Sequence, residues 1–358
     1  MHEAAYESKA IEVIQVVIVL VIIASMLLPM LTTAAQAQPS ADDAATFGEY
    51  MRFRGEGANQ LQSALKETFR LYSTGQGAFL TGLLSGLPSG ASAVALFCCL
   101  VVGGFFLSVF IAVKNVIRYV FDCHRLSLIL WVYLGLIFLM TQCTNPAEAF
   151  FWYAGAVRYT LPAMAMFFGI GVALKSFRYK RPGIRFWQFT GSAALLFFAC
   201  GGSLVIAAFL CWIVFLGAVS AFLYKAPFRG KLLFLLAVCA AGLWINLLAP
   251  GSAPAALGSG LPVAARAPWV LPAFLAFVLP VLFVPVRSIA ERSGFAFAHP
   301  LRCVVFSLTA VVPILVPLFT GYSDGMGQAY VQCATWLIFA LVFFNYVYLV
   351  GARVKARA

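Results

Sequence analysis

Charge is what this sequence has least of. Only 10% of its 358 residues are Asp, Glu, Lys or Arg, where a soluble domain carries about 25%. A soluble globular fold is therefore excluded for the bulk of the chain. Histidine is scarcer still, at three. His2, His124 and His299 lie far apart in the sequence, so no histidine-built metal site is expected. Nine cysteines are present, but no Cys-x-x-Cys pair. Most sit inside apolar runs, where a thiol serves as a small hydrophobe. No glycine-rich phosphate loop appears, which argues against an ATP-driven machine. No internal repeat marks duplicated transporter halves.

What is abundant is apolar sequence. Hydrophobic residues make up 63% of the chain, and the mean hydropathy is +0.95. The apolar runs recur at about 20 residues, the length that crosses a hydrocarbon core as a helix. They are too long and too uniform for barrel strands. The expected fold is all-α: a polytopic membrane helical bundle of about ten spans, forming one transmembrane domain over residues 1–358. The spans are read at 11–31, 90–112, 126–142, 159–175, 187–201, 204–224, 232–249, 269–286, 303–320 and 330–350. Gly201-Gly202-Ser203 should form a tight turn between the fifth and sixth of these.

Topology follows from the basic residues. With a cytoplasmic N-terminus, Arg52, Arg54, Lys66, Arg70, Arg158 and Arg266 face outward, leaving eighteen of the 24 basic residues inside. That asymmetry fits both termini inside, and it explains the net charge of +12 without nucleic acid. The outer loops are then 35–89, 143–158, 250–268 and 321–329. Ala35-Gln36-Ala37 resembles a signal-peptidase site. The preceding segment is not basic and its apolar run is long enough to span, so a retained anchor is expected.

The one long polar stretch, Pro39 to Leu84, contains five of the twelve acidic residues. Asp42-Asp43 opens it. A carboxylate at the bilayer surface could act as general base on a hydroxyl acceptor. The same pair, after Ser40-Ala41, also reads as the N-terminal cap of a short helix. A divalent ion on these two acids is chemically possible. Residues 59–72 place Leu61, Leu65, Phe69 and Tyr72 at helical spacing. That helix could lie in the membrane interface or pack on the bundle.

The second unusual stretch is Glu148-Ala-Phe-Phe-Trp152-Tyr153-Ala-Gly-Ala-Val-Arg158-Tyr-Thr-Leu-Pro162. An interfacial aromatic belt accounts for Trp152 and Tyr153. It does not account for Glu148 and Arg158 near apolar surroundings, where charge is costly without a partner. Arg158 suits a lipid phosphate, its planar fork matching an oxyanion. Arg266 is a second cation of that kind. Asp324, in Gly321-Tyr322-Ser323-Asp324-Gly325, reads as a turn residue.

The order of these features resembles bacterial multi-spanning proteins of the GT-C glycosyltransferase type, near the O-antigen glucosyltransferase-like group. The features are Asp42-Asp43 after the first span, Tyr72-Ser73-Thr74-Gly75-Gln76-Gly77 before the second, the 148–162 stretch, and Ala249-Pro250-Gly251. The resemblance runs over residues 10–270, and 148–162 is its most specific part. Where the family pattern has arginine after Gly75 and asparagine after Ala-Pro-Gly, this chain has Gln76 and Ser252.

The resemblance implies transfer of a sugar from a polyprenyl-phosphate donor to a cell-envelope glycan or glycolipid on the outer face of the bacterial inner membrane. It implies no cofactor beyond that lipid-linked donor. The catalytic role falls on Asp42 or Asp43. Arg158 and Arg266, with Arg54 and Arg70 behind them, would hold the donor phosphate. Glu148, Trp152, Tyr153, Tyr72 and Gln76 would line the sugar or acceptor. The competing readings are a transporter or flippase for a polar or lipid-linked substrate, and a non-catalytic membrane subunit.

Overall fold

The computed structural model describes residues 2–250 except 75–76, 85–90, 121–122, 144–145, 179–181 and 224. The expected spans at 269–286, 303–320 and 330–350, the loops 250–268 (beyond Pro250) and 321–329, Arg266, Asp324 and Gln76 lie outside the described residues.

Among the described residues every element is helical. That is the outcome hydrocarbon imposes, because a helix satisfies its own backbone donors and acceptors. In order they are α1 (His2–Ala34), α2 (Ala41–Gly55), α3 (Gln60–Thr74), α4 (Phe79–Leu84), α5 (Ala91–Tyr119), α6 (Leu126–Cys143), α7 (Tyr153–Gly155), α8 (Leu161–Arg178), α9 (Pro182–Cys200), α10 (Leu204–Leu223) and α11 (Arg229–Leu247). Two π-helical turns, Ala147–Phe151 and Ala156–Thr160, flank α7.

Among the described residues, four segments are long and apolar enough to cross a membrane: Ala10–Ala34, Ala91–Tyr119, Tyr153–Phe177 and Arg229–Leu247. Shorter apolar segments cover Leu126–Phe138 and Leu204–Val219. The molecule is thus a helical membrane protein; of the roughly ten spans the sequence suggested, three lie outside the described residues. Arg185, Gln188 and Thr190 thin the apolar character of α9. The second expected span, 90–112, continues as helix for two further turns through Lys114 and Arg118 to Tyr119.

The core runs along α5 and α8, where Phe105, Phe167 and, from the first π-turn, Phe150 are fully buried. Phe105 meets Phe150 and Phe167 edge-on, with ring centroids 5.3 and 6.2 Å apart. Two buried polar groups bond across helices. Asn115 Nδ2 donates to the Gly171 carbonyl at 2.8 Å, and the Tyr133 hydroxyl donates to Phe106 at 3.0 Å. In hydrocarbon such bonds fix how helices sit against each other. α1 lies along the edge of this core against α5 and α6. Most of its apolar side chains are exposed, Val13 and Val21 among them, as expected of a surface that faces lipid.

Candidate functional site: a helical cap on one end of the bundle

The polar stretch 39–84 forms three helices rather than a loop, and it closes over one end of the bundle. Three observations place it there. The Tyr72 hydroxyl of α3 donates to the Ile245 carbonyl near the end of α11 at 2.9 Å. The Leu80 amide of α4 donates to the Gly201 carbonyl in the α9–α10 turn at 2.9 Å. Tyr153 donates to the Leu84 carbonyl. Gly201-Gly202-Ser203 forms the turn its composition suggested.

Each cap helix has a local cause. Ser40 is the N-cap of α2, and its hydroxyl accepts from the Asp43 amide at 3.1 Å. Asp43 Oδ2 accepts in return from the Ser40 amide at 2.8 Å. This reciprocal pair satisfies two donors that a helix start leaves open. α3 begins the same way, with Asn59 Oδ1 accepting from Gln62 and Gln62 Oε1 accepting from Asn59.

Of the two readings the sequence left open for α3, the structure shows its packing on the rest of the protein. Ser63, Ala64 and Glu67 are buried against the cap. Gly82 of α4 comes so close that a Cβ there would stand 2.6 Å from Thr68 Cα. On the opposite face, Leu61 and Phe69 are 64% and 71% exposed. Apolar residues with that exposure suit the boundary between acyl chains and headgroups.

Asp43 carries the junction. Its side chain is fully buried. Oδ2 closes the α2 cap, and Oδ1 accepts from the Ala154 amide at 2.9 Å. One carboxylate therefore ties the first polar stretch to the second. Tyr153, beside Ala154, is the apolar half of that junction. Its ring lies 5.5 Å from Phe47 of α2 and 4.8 Å from Phe97 of α5. Tyr153 is buried and acts as a post between cap and bundle.

The second stretch is irregular where it meets the cap. Two π-turns in fifteen residues are uncommon, and such turns often mark sites. Thr160 donates to the Ala149 carbonyl, closing the two turns on each other. Glu148 is exposed. Trp152 is half-buried, and its indole N–H is enclosed without a hydrogen-bond partner. No sequence signal announced the π-turns, whose hydrogen-bond shift depends on packing.

The cations divide by partner. Arg70 forms a forked pair with Glu67, Nε to Oε2 and Nη2 to Oε1, both at 2.7 Å. Glu67 is fully buried, and its hydrogen bonds hold the Arg70 guanidinium above its ordinary pKa. Arg52 pairs with Glu49 at 3.0 Å, and Lys66 with Glu56 at 3.7 Å. Arg54 is exposed. Arg158 is half-buried, with its guanidinium carbon 5.6 Å from the Tyr159 ring centre. Among the described residues no carboxylate lies within 4.0 Å of Arg54 or Arg158.

The structure thus brings Asp43, Tyr153, Trp152 and Arg158 into one region, with Tyr72 tying the same cap to α11. Glu148 is at its rim. Asp42 is in the first turn of α2. Among the described residues no cluster of three metal-ligating side chains occurs. The fold and this cap define a class: a helical membrane protein with an amphipathic, partly acidic cap over one bundle end. Comparison with protein-family models, curated proteins and solved structures finds no match, so no family is assigned.

Proposed function

We propose that the cap is the reactive face of a membrane glycosyltransferase that uses a polyprenyl-phosphate sugar on the outer side of a bacterial inner membrane. The observation that carries the reading is the Asp43 bridge. It joins the α2 acids to the π-turn segment that holds Arg158. A half-buried guanidinium without a carboxylate partner is costly near hydrocarbon unless an anion reaches it, and a phosphate satisfies that need with two parallel bonds.

The chemistry asks little more. The acceptor hydroxyl oxygen attacks the anomeric carbon as its bond to the phosphate oxygen breaks. The hydroxyl proton passes to a carboxylate, and the departing phosphate carries its charge away against a positioned cation. Asp43 already accepts two backbone N–H bonds, so we assign it to positioning and Asp42 to the base. Trp152, with its unpartnered indole donor, lies beside the acceptor. Charged residues such as Glu12, Lys114, Lys175 and Lys231 stand near the ends of the described apolar segments. That placement favours a surface reaction over a charged path through the membrane.

The test is glycan mass spectrometry on cells carrying the wild-type gene, Asp42→Asn or Arg158→Gln at matched protein levels. Loss of one defined sugar mass in both variants is the expected result. Wild-type glycans in both variants would overturn the reading.

A further inference from the structure

The end of the bundle opposite the cap has the reverse electrostatic problem. Lys231 lies near the start of α11, half-buried, with its ammonium 6.0 Å from the Phe177 ring centre and 5.8 Å from that of Phe189. Phe177 of α8 stacks on Phe228 at 5.0 Å with planes 4° apart, so the seat beneath the ammonium is rigid. Arg185 of α9 is one helical turn from Phe189, on the same face, and its charge acts on Lys231. Arg229 lies over Phe222 at 5.8 Å. Among the described residues no carboxylate lies within 4.0 Å of Lys231, Arg185 or Arg229.

Like charges gathered at one point are destabilising, and this placement adds to the cost. Neither α9 nor α11 has an acid in its first turn, so the cations face the positive ends of two helix dipoles. Aromatic rings offset part of this by attraction to the ammonium, but they supply no negative charge. At the cap the opposite arrangement holds, with Arg52, Lys66 and Arg70 each paired to a glutamate. Among the described residues, three cap cations thus have a glutamate partner, while Lys231, Arg185 and Arg229 have none.

We propose that Lys231 and Arg185, on the Phe177–Phe189 seat, bind the phosphate of an anionic lipid headgroup. The ligand's acyl chains lie along the apolar faces of α9 and α11, where Phe186, Trp187, Leu233 and Phe234 are exposed. A soluble phosphate shares the headgroup chemistry but gains nothing from those faces. Basic sites between helices at the membrane surface are suited to such lipids.

The experiment places the full-length protein in nanodiscs of phosphatidylcholine with or without phosphatidylglycerol. It reads lipid retained by native mass spectrometry and the thermal midpoint. The wild type should retain phosphatidylglycerol and gain thermal stability from it. Arg185→Gln, an exposed position, should weaken retention by about tenfold, the scale of one lost charge-assisted bond. Lys231→Arg should keep it, and Arg54→Gln at the cap should leave it unchanged. Inorganic phosphate should give no stabilisation at concentrations where the lipid does. Equal retention in Arg185→Gln and wild type would overturn the proposal. So would equal stabilisation by phosphatidylcholine alone, or stabilisation by inorganic phosphate that matches the lipid.

Discussion

Asp43 shows how one residue can hold two opposite meanings. In sequence it is an acid after a span, suited to catalysis or to capping. In the fold its two oxygens accept the Ser40 and Ala154 amides, and water does not reach it. Removing the carboxylate leaves two donors without a partner in an enclosed place. Asp43→Ala should therefore cost about 2–3 kcal/mol, combining a lost helix cap with a lost bond to a charged group. A lower thermal midpoint in detergent, together with earlier proteolysis between α1 and α5, is the expected record. Asp42→Asn should unfold at the wild-type midpoint. Equal behaviour of the two variants would mean that the bridge contributes nothing.

At the scale of elements, the close approach of α3 and α4 decides whether the cap can sit where it does. A Cβ on Gly82 would meet the Thr68 Cα at 2.6 Å, and backbone on both sides cannot yield cheaply. Gly104 of α5 looks similar at first, since a Cβ would stand 2.5 Å from Met164 Sδ. There the obstacle is the end of a flexible thioether, which can turn aside. Gly82→Ala should thus destabilise by about 1–3 kcal/mol, the usual range for overpacking. Gly104→Ala should cost less than half of that. Thermal midpoints of the two variants in one detergent make the comparison direct. The helix spacing at 59–72 and the Gly-Gly turn at 201–202 were legible because each is set within a few residues. The π-turns were not, because they answer to contacts with α4 and α5.

For the whole molecule, charge separates the two ends. Among the described residues, the acids Asp43, Glu49, Glu56 and Glu67 belong to the cap, while Lys114, Arg118, Arg125, Arg185, Lys225, Arg229 and Lys231 belong to the helix ends and turns of the other end. By the positive-inside rule the cap should face outward. Gly57→Cys, in the turn between α2 and α3, should then react with a membrane-impermeant maleimide on intact spheroplasts. Pro227→Cys, in the α10–α11 turn, should react only after permeabilisation. The reverse pattern would invert the orientation and place the cap in the cytoplasm.

The sequence by itself determined the class of solvent and the kind of element. A chain with this little charge and this much apolar length must satisfy its backbone internally, and helices do so without reference to distant residues. Its short-range signals also located the Ser40 cap, the α3 helix and the turn after α9. Tertiary structure alone decided which polar groups meet. It brought the Asp43 carboxylate to the Ala154 amide and, among the described residues, left Arg158 without a carboxylate. It buried Tyr153 between Phe47 of α2 and Phe97 of α5. It also seated Lys231 on rings from two other helices. Such pairings depend on how helices far apart in the chain approach one another, and composition and spacing do not encode that distance.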